Sequence, residues 1–382
     1  MKIVSYELTR FAFPRDRVIG DAQVKSEWHY IGILELLTDT GLVGTGFFLS
    51  LFSPLPALDE LKRIFELEFL PSVLNQNPYT LIHRISRPRG GNRSSKTTID
   101  FGGAINTALW DIAAKGADLP LFRYLGGTEA HVPVYASLLE FHLCDDALTH
   151  YLRQVKAQGF TAFKAKVGHK DVQWELDRLK LIQSIMGSET RLMIDANESW
   201  SPKETVRRVR LFQRAGIDIF WVEDPILRED IEGLRFIKSA LPDVHLNIGE
   251  YVDTSGKRRL IESGIVDILN IHGQISDGLR IGWLAAEAGI PISLGNTLFE
   301  VGVHLAAALP ECIAIEYAFH NFIHLLETPV KISGGFAYAP ERPGHGLLLD
   351  DQARKQWACS GISDVKSEIT FHPNLAPFTD HA

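Results

Sequence analysis

Between residues 132 and 318 the sequence repeats one pattern: a short apolar run, then an amphipathic stretch with helical period. The runs are Val132–Leu138, Ala162–Val167, Arg191–Asn197, Ile219–Pro225, His245–Glu250, Ile268–His272, Pro291–Asn296 and Ile313–Ala318. Near-continuous apolar runs suit strands buried on both faces, which is the condition of a parallel sheet covered by its crossover helices. The connections carry the matching signal. Val172, Leu176, Leu179 and Ile182 fall at i, i+4, i+7 and i+10, with charged residues between them. Eight such units are enough to close a barrel, so the chain is expected to be α/β, with a (β/α)7-8 TIM-type barrel. A doubly wound sheet would show the same alternation, but no G-x-G-x-x-G follows the first run.

The first 126 residues are mixed. Ile31–Thr38 reads as a strand, Asp39-Thr40-Gly41 as its turn, and Leu42–Phe48 as the returning strand. Ala104–Lys115 reads as a helix with Ile105, Leu109, Ile112 and Ala113 on one face and Gly116 as its stop. Arg84–Thr98 is rich in Arg, Gly and Ser and reads as a mobile loop. From about residue 350 the composition is mixed again, ending in FHPNLAPFTDHA, which is expected to pack back on the N-terminal part. Trp110, Trp221 and Trp283 are expected in core or helix–barrel packing, and His304 in a structural role.

The bulk numbers exclude several function classes. A net charge of −8 argues against a nucleic-acid groove or an anionic-membrane patch. Three cysteines without a C-x-x-C spacing argue against a disulfide framework or a zinc site. No apolar run approaches the ~18 residues of a membrane span, and the first residues lack the pattern of a secretory signal. The expectation is a cytoplasmic protein acting on a small molecule.

Catalytic groups on this fold sit at the C-terminal ends of the strands. Three consecutive runs end in carboxylates: RLMIDAN brings Asp195, IFWVEDP brings Glu223 and HLNIGE brings Glu250. The separations are 28 and 27 residues (223 − 195 and 250 − 223), one βα unit each. All three therefore reach the same rim from neighbouring strands, where they would repel unless a cation sat among them. A single Asp after a strand often caps the next helix, but Glu caps poorly. Oxygen ligands with no His or Cys favour Mg²⁺ over zinc.

The run AFKAKV places Lys164 and Lys166 on one face and Phe163, Ala165 and Val167 on the other. The apolar face must meet the helices, so both lysines point into the barrel. Each ammonium lowers the pKa of the other, which yields a neutral amine able to act as a base.

With these motifs in place the chain resembles the enolase superfamily, of the mandelate racemase and muconate lactonizing enzyme type. The resemblance rests on ALWDIAAKGADLPLFRYLGG (Ala108–Gly127), the KAK pair, and the DAN, VEDP and GE strand ends in order. It implies an α+β N-terminal capping domain over residues 1–126, completed by the tail from about 350 to 382, closing over a catalytic barrel of residues 127–349. It implies Mg²⁺ on Asp195, Glu223 and Glu250, and abstraction of the proton α to a carboxylate to give an enediolate. Lys166 would be the base, with Lys164 tuning it and touching the substrate carboxylate. Relatives with this architecture imply a homo-oligomer, a dimer or an octamer.

The opposite face departs from the pattern. Asn296 sits where a mandelate racemase-like His is expected, and His272 stands where those relatives have an Asp or, in muconate lactonizing relatives, a Lys. His272 could protonate a leaving hydroxyl, serve as the second base of a racemase, or only position substrate. Asn296 cannot exchange protons and reads as a binding residue. Glu316 fits the acid that hydrogen-bonds the substrate carboxylate, or is structural. Asn197 and Asp224 follow metal ligands and read as their supports. Arg15, Arg17, Trp28 and His29 in the early segment, with Arg89 and Arg93 in the Gly-rich loop, would contact substrate or are solvated loop residues; arginines suit a second carboxylate or a polyhydroxy acid. The leading expectation is a Mg²⁺-dependent dehydratase taking a sugar acid to a 2-keto acid. The alternatives are a racemase, epimerase or cycloisomerase, or a non-catalytic binding protein that keeps the fold.

Overall fold

A computed structural model describes residues 1–22, 25–50, 54–82, 84, 99–295, 298–318 and 322–360. The N-terminal part is an antiparallel sheet of three strands, β1 (Ile3–Gly20), β2 (Lys25–Thr38) and β3 (Val43–Ser50), in that order. The turn between β2 and β3 is the one read from Asp39-Thr40-Gly41: Gly41 has φ 83° and donates its N–H to Thr38 O. The 18-residue β1 is not legible from pattern, because Arg10, Pro14, Arg15, Asp16 and Arg17 interrupt the alternation. The helix Phe101–Gly116 covers this sheet. It begins three residues earlier than its apolar period indicates, because Asp100 accepts from Gly103 N at 2.8 Å and caps it there. Its close approach requires glycine on β3: a Cβ on Gly46 would lie 1.8 Å from Ala104 O.

Eight parallel strands follow: β4 (His131–Ser137), β5 (Ala162–Lys166), β6 (Arg191–Asp195), β7 (Trp221–Glu223), β8 (His245–Ile248), β9 (Ile268–Ile271), β10 (Ile292–Leu294) and β11 (Cys312–Tyr317). Each pairs with the next, and β11 pairs with β4 to close the barrel. Each lies within one of the eight apolar runs except at β4 and β11, which begin one residue earlier. A hairpin of β12 (Lys331–Ser333) and β13 (Phe336–Tyr338) adds antiparallel to β4.

Alternation sorts the side chains as expected. Phe163, Ala165 and Val167 join the layer between strands and helices, while Lys164 and Lys166 turn inward. The helix Val172–Met186 buries Leu176, Leu179 and Ile182. Truncating such a residue to Ala costs about 2–5 kcal/mol.

The expectation of core packing is met at Trp221 and not at Trp283. Trp221 is 1 % exposed and packs inside the barrel with Tyr135, Met193, Ile268 and Ala314, not against a helix. Trp283 is not in packing at all. It is 69 % exposed on the helix Ile275–Glu287, whose buried face uses Ile275, Gly278, Ile281 and Ala285.

The chain end returns to the first sheet. Cys359 N donates to Arg10 O, Leu58 N to Ser360 O, and Arg354 pairs with Glu35 at 2.7 Å. The segment FHPNLAPFTDHA and the arginines Arg89 and Arg93 lie outside the described residues. The N-terminal sheet also meets the barrel rim: Gly20 N donates to Leu139 O, just past β4, and the Arg17 guanidinium lies 4.3 Å over the Tyr151 ring. Among the described residues no helix is long and apolar enough to cross a membrane.

Candidate active site

Strand register assembles the first half of the site. Lys166 stands beside Asp195, Asp195 beside Glu223, and Glu223 beside Asn247. Glu250 follows β8 after Gly249, whose φ of 136° and 2.5 Å approach of its missing Cβ to Asn270 O admit glycine only. Non-glycine residues with positive φ gather just past these strands: Leu139, Asn197, Glu198, Asp224 and Tyr251. Such strain collects where side chains are held for function.

Lys164 Nζ contacts Glu223 Oε1 at 2.8 Å, Glu316 Oε1 at 3.0 Å and Asp195 Oδ2 at 3.5 Å. Lys166 Nζ contacts Asp195 Oδ2 at 2.5 Å and donates to Asn197 Oδ1 at 3.0 Å. Asn197 also donates its backbone N–H to Asp195 Oδ1 at 3.0 Å. Lys166 is further anchored through its backbone N–H to Glu140 Oε1, 2.8 Å away.

The mutual depression of the two lysines expected from the sequence does not hold. Burial would lower both, and Lys164 does lower Lys166, but the carboxylates outweigh these effects. Lys164 is held well above its ordinary pKa by Glu223 and Glu316, and Lys166 is raised by Asp195. In this arrangement both are ammonium groups.

Asp224 and Arg228 alter the expected acidic set. Oxygens of Glu223, Asp224 and Glu250 lie within 4.8 Å of one another, a group that does not include Asp195, whose Oδ2 pairs with Lys166. Arg228 bridges the group, reaching Asp224 Oδ2 at 2.6 Å, Glu250 Oε2 at 3.0 Å and Glu198 Oε1 at 3.0 Å. Sequence reading misses Arg228, since a charged residue after a strand-end loop looks solvated. The i, i+4 spacing from Asp224 in EDPILR is the available signal.

The donor set fits a divalent cation. Asp195, Glu198, Glu223, Asp224, Glu250 and Glu316 face Lys164, Lys166 and Arg228, so the carboxyl groups outnumber the cations by 6 − 3, or three. Glu223 Oε2 and Asp224 Oδ1 are buried and accept no hydrogen bond among the described residues. Burial pushes Glu223 well up, with Asp195, Glu316 and Glu250 adding to it against Lys164. Burial also raises Glu250 and takes Asp224 up to about 7, against Arg228. Asp195 goes the other way: the two lysines overcome its burial and hold it below the usual carboxylate range. Oxygen-only donors suit a hard cation.

Across the barrel, His272 follows β9 and is 8 % exposed, with its ring edge-on to Tyr251 at 5.4 Å. Glu316, on β11, reaches the site through Lys164. Asn296 lies outside the described residues. In the N-terminal sheet, Arg15, Arg17 and His29 are all buried. Arg15 Nη1 is 3.2 Å from His29 Nδ1, and His29 stacks on Phe13 at 4.7 Å. Burial and the neighbouring Arg17 lower Arg15 to about 9. Trp28 is only half-buried. His304 is structural, accepting from Phe122 N and donating to His345 O.

Fold and site together define a closed (β/α)₈ barrel whose acid- and lysine-lined mouth lies beside an antiparallel N-terminal sheet. Residues 147–353 match the family described as enolase C-terminal domain-like. The chain belongs to the enolase superfamily, mandelate racemase and muconate lactonizing enzyme type. It is 29 % identical over 275 residues to 3,6-anhydro-alpha-L-galactonate cycloisomerase of Streptomyces coelicolor, covering 69 % of this chain and 72 % of that one. It is 27 % identical over 372 residues to L-Ala-D/L-Glu epimerase of Bacillus subtilis, covering 91 % and 97 %. Among solved structures, a Mesorhizobium loti protein assigned as a mandelate racemase aligns with a TM-score of 0.89 at 47 % identity, covering 94 % of this chain and 95 % of that chain. An L-talarate/galactarate dehydratase variant, solved with Mg and L-glucarate, aligns with a TM-score of 0.78 at 25 % identity, covering 94 % and 92 %. The relatives are thus superfamily enzymes of several reaction types.

Proposed function

We propose that this protein is a Mg²⁺-dependent dehydratase that removes the proton α to the carboxylate of a hydroxy (sugar) acid and eliminates water to a 2-keto acid. The observation that carries this reading is the pairing of Lys164 and Lys166 with a carboxylate cluster that outnumbers the cations at one barrel mouth. Asp195, Glu223 and Glu250 would hold the metal, with Asp224 beside them through Arg228 and Asn197 supporting Asp195. Magnesium bound there would neutralise these anions and stabilise the negative charge that develops on the substrate carboxylate.

The chain's own residues do the rest. With Asp195 neutralised, the Lys164 ammonium becomes the dominant neighbour of Lys166 and favours its neutral amine. Lys166 Nζ takes the α-proton. Lys164, held between Glu223 and Glu316, donates to the substrate carboxylate as it becomes an enediolate. His272, on the opposite wall, protonates the departing β-hydroxyl. Arg15, Arg17 and His29, with Asn296, would bind the remainder of the substrate, and the polar rim suits an acid with several hydroxyls.

A second reading is an epimerase, racemase or cycloisomerase, favoured by relatives of those types, the cycloisomerase and the epimerase above among them. Incubation with a sugar-acid library, Mg²⁺ and D₂O, followed by NMR, separates them. Loss of hydroxyl to a 2-keto acid is expected. Deuterium uptake with inversion and no water loss would replace dehydration by the second reading. No exchange on any acid, in folded protein, would remove both.

A further inference from the structure

Lys257 lies on the first turn of the helix Thr254–Ser263 and is 3 % exposed. Its Nζ donates to Gly249 O and Val252 O, each at 2.6 Å. These carbonyls flank Glu250 in the loop that leaves β8. The same Nζ meets His272 Nδ1 at 3.4 Å. At that distance the bond itself is weak, but its sense is decided by charge. An ammonium carries donors only, so Nδ1 must present its lone pair; an N–H there would point at a cation. A neutral imidazole has one ring proton, and it is then on Nε2.

A carboxylate facing Nδ1 produces the reverse, a ring held with Nε2 bare as a base. Here the orienting group is an ammonium. We propose that Lys257 is a positioning residue that fixes His272 as an Nε2–H proton donor and supplies the proton behind it. This deepens the dehydratase reading and rests on it.

The step balances. As the C–O bond breaks with its electron pair, the Nε2 proton joins the departing oxygen to form water. A Lys257 proton moves to Nδ1, so the imidazole never becomes an anion. Lys257 is left as a neutral amine with two N–H bonds for its two carbonyls and a lone pair for the new Nδ1–H. The α-proton stays on Lys166 until solvent resets both groups. The return path for Lys257 is visible: Lys257 and His272 line a cavity of about 770 Å³ with Gln274, Asp277 and the solvent-exposed Ser255 and Arg258.

The test reads the proton directly and needs no turnover. Full-length protein labelled with ¹⁵N-histidine is examined by long-range ¹H–¹⁵N NMR, with His272→Gln identifying the His272 resonances. A bare Nδ1 and a protonated Nε2 are expected in the wild type. A proton on Nδ1, or on both nitrogens, overturns the proposal whether or not any acid is dehydrated. Lys257→Met should populate the Nδ1–H tautomer, whereas Lys257→Arg, also donor-only, should retain the wild-type pattern; an unchanged spectrum in Lys257→Met removes Lys257 from the role. If Lys257→Met does not fold, the wild-type spectrum and the arginine variant decide. In turnover, Lys257→Met should lower kcat for water loss at nearly constant KM while α-proton exchange with D₂O continues. If no acid is dehydrated but the tautomer is as expected, it is the dehydratase reading that fails and not the orientation of His272.

Discussion

The two walls of the barrel mouth are built by different means. On the β5–β8 side, function-bearing groups stand at strand ends and meet their neighbours in register: Lys166 with Asp195, and Asp195 with Glu223. On the β9–β11 side, His272 is set by Lys257, a helix residue fifteen positions earlier in the chain, and Glu316 reaches past β4 to Lys164 on β5. The first wall is a lattice of opposite charges. The second is an oriented donor. The contrast suggests a division of labour, in which one wall starts the reaction by removing a proton and the other ends it by supplying one.

The largest expected effect breaks the first wall. Lys166→Met should reduce turnover by about 10²–10⁴-fold, the usual contribution of a positioned proton-transfer group, and should abolish α-proton exchange followed by NMR in D₂O. Retained exchange would take the base assignment away from Lys166. Next, Arg228→Met leaves Asp224 and Glu250 as buried acids without their cation. Breaking such a pair costs about 3–5 kcal/mol, measured as a lower denaturant midpoint, and added Mg²⁺ should recover part of it. A midpoint unchanged in the absence of metal would mean that Arg228 does not hold the cluster.

His272→Gln then separates the walls. Product formation should fall by about 10²-fold, while α-proton exchange persists. If exchange falls equally, the two walls act as one unit and the division is wrong.

The smallest effect concerns the support behind the second wall. Burial, with His345 beside it, lowers His304 from 6.5 to about 3, against Asp111. The unfolded chain therefore binds more protons between these values, so this contribution to stability is complete above pH 6.5 and is lost as pH falls toward 3. Going from pH 6.5 to about 5 should cost roughly 2 kcal/mol at this site. His304→Gln should flatten that part of the stability–pH curve measured by urea unfolding; an unchanged slope would show that other groups set it.

Local pattern accounts for several features of the site. The alternation in AFKAKV sends both lysines inward, and the one-unit spacing of Asp195, Glu223 and Glu250 places them on one rim. Other features have no local signature. The strand Ile3–Gly20 is hidden by its arginines, which the fold buries with partners such as Asp16 and Tyr151. Trp283 has the character of a core residue and lies on the surface, because the buried stripe of its helix uses smaller side chains.

The sequence by itself determined the barrel and sent Lys164, Lys166, Asp195, Glu223 and Glu250 to its rim, because strand alternation and the βα period are covalent regularities that hold wherever the chain goes. The tertiary structure alone decided that Asp224 gathers with Glu223 and Glu250, that Arg228 bridges Asp224 and Glu250, and that the Lys257 amine faces His272 Nδ1. Those outcomes depend on φ values past the strand ends and on helix packing between residues far apart in the chain, and no local period encodes either.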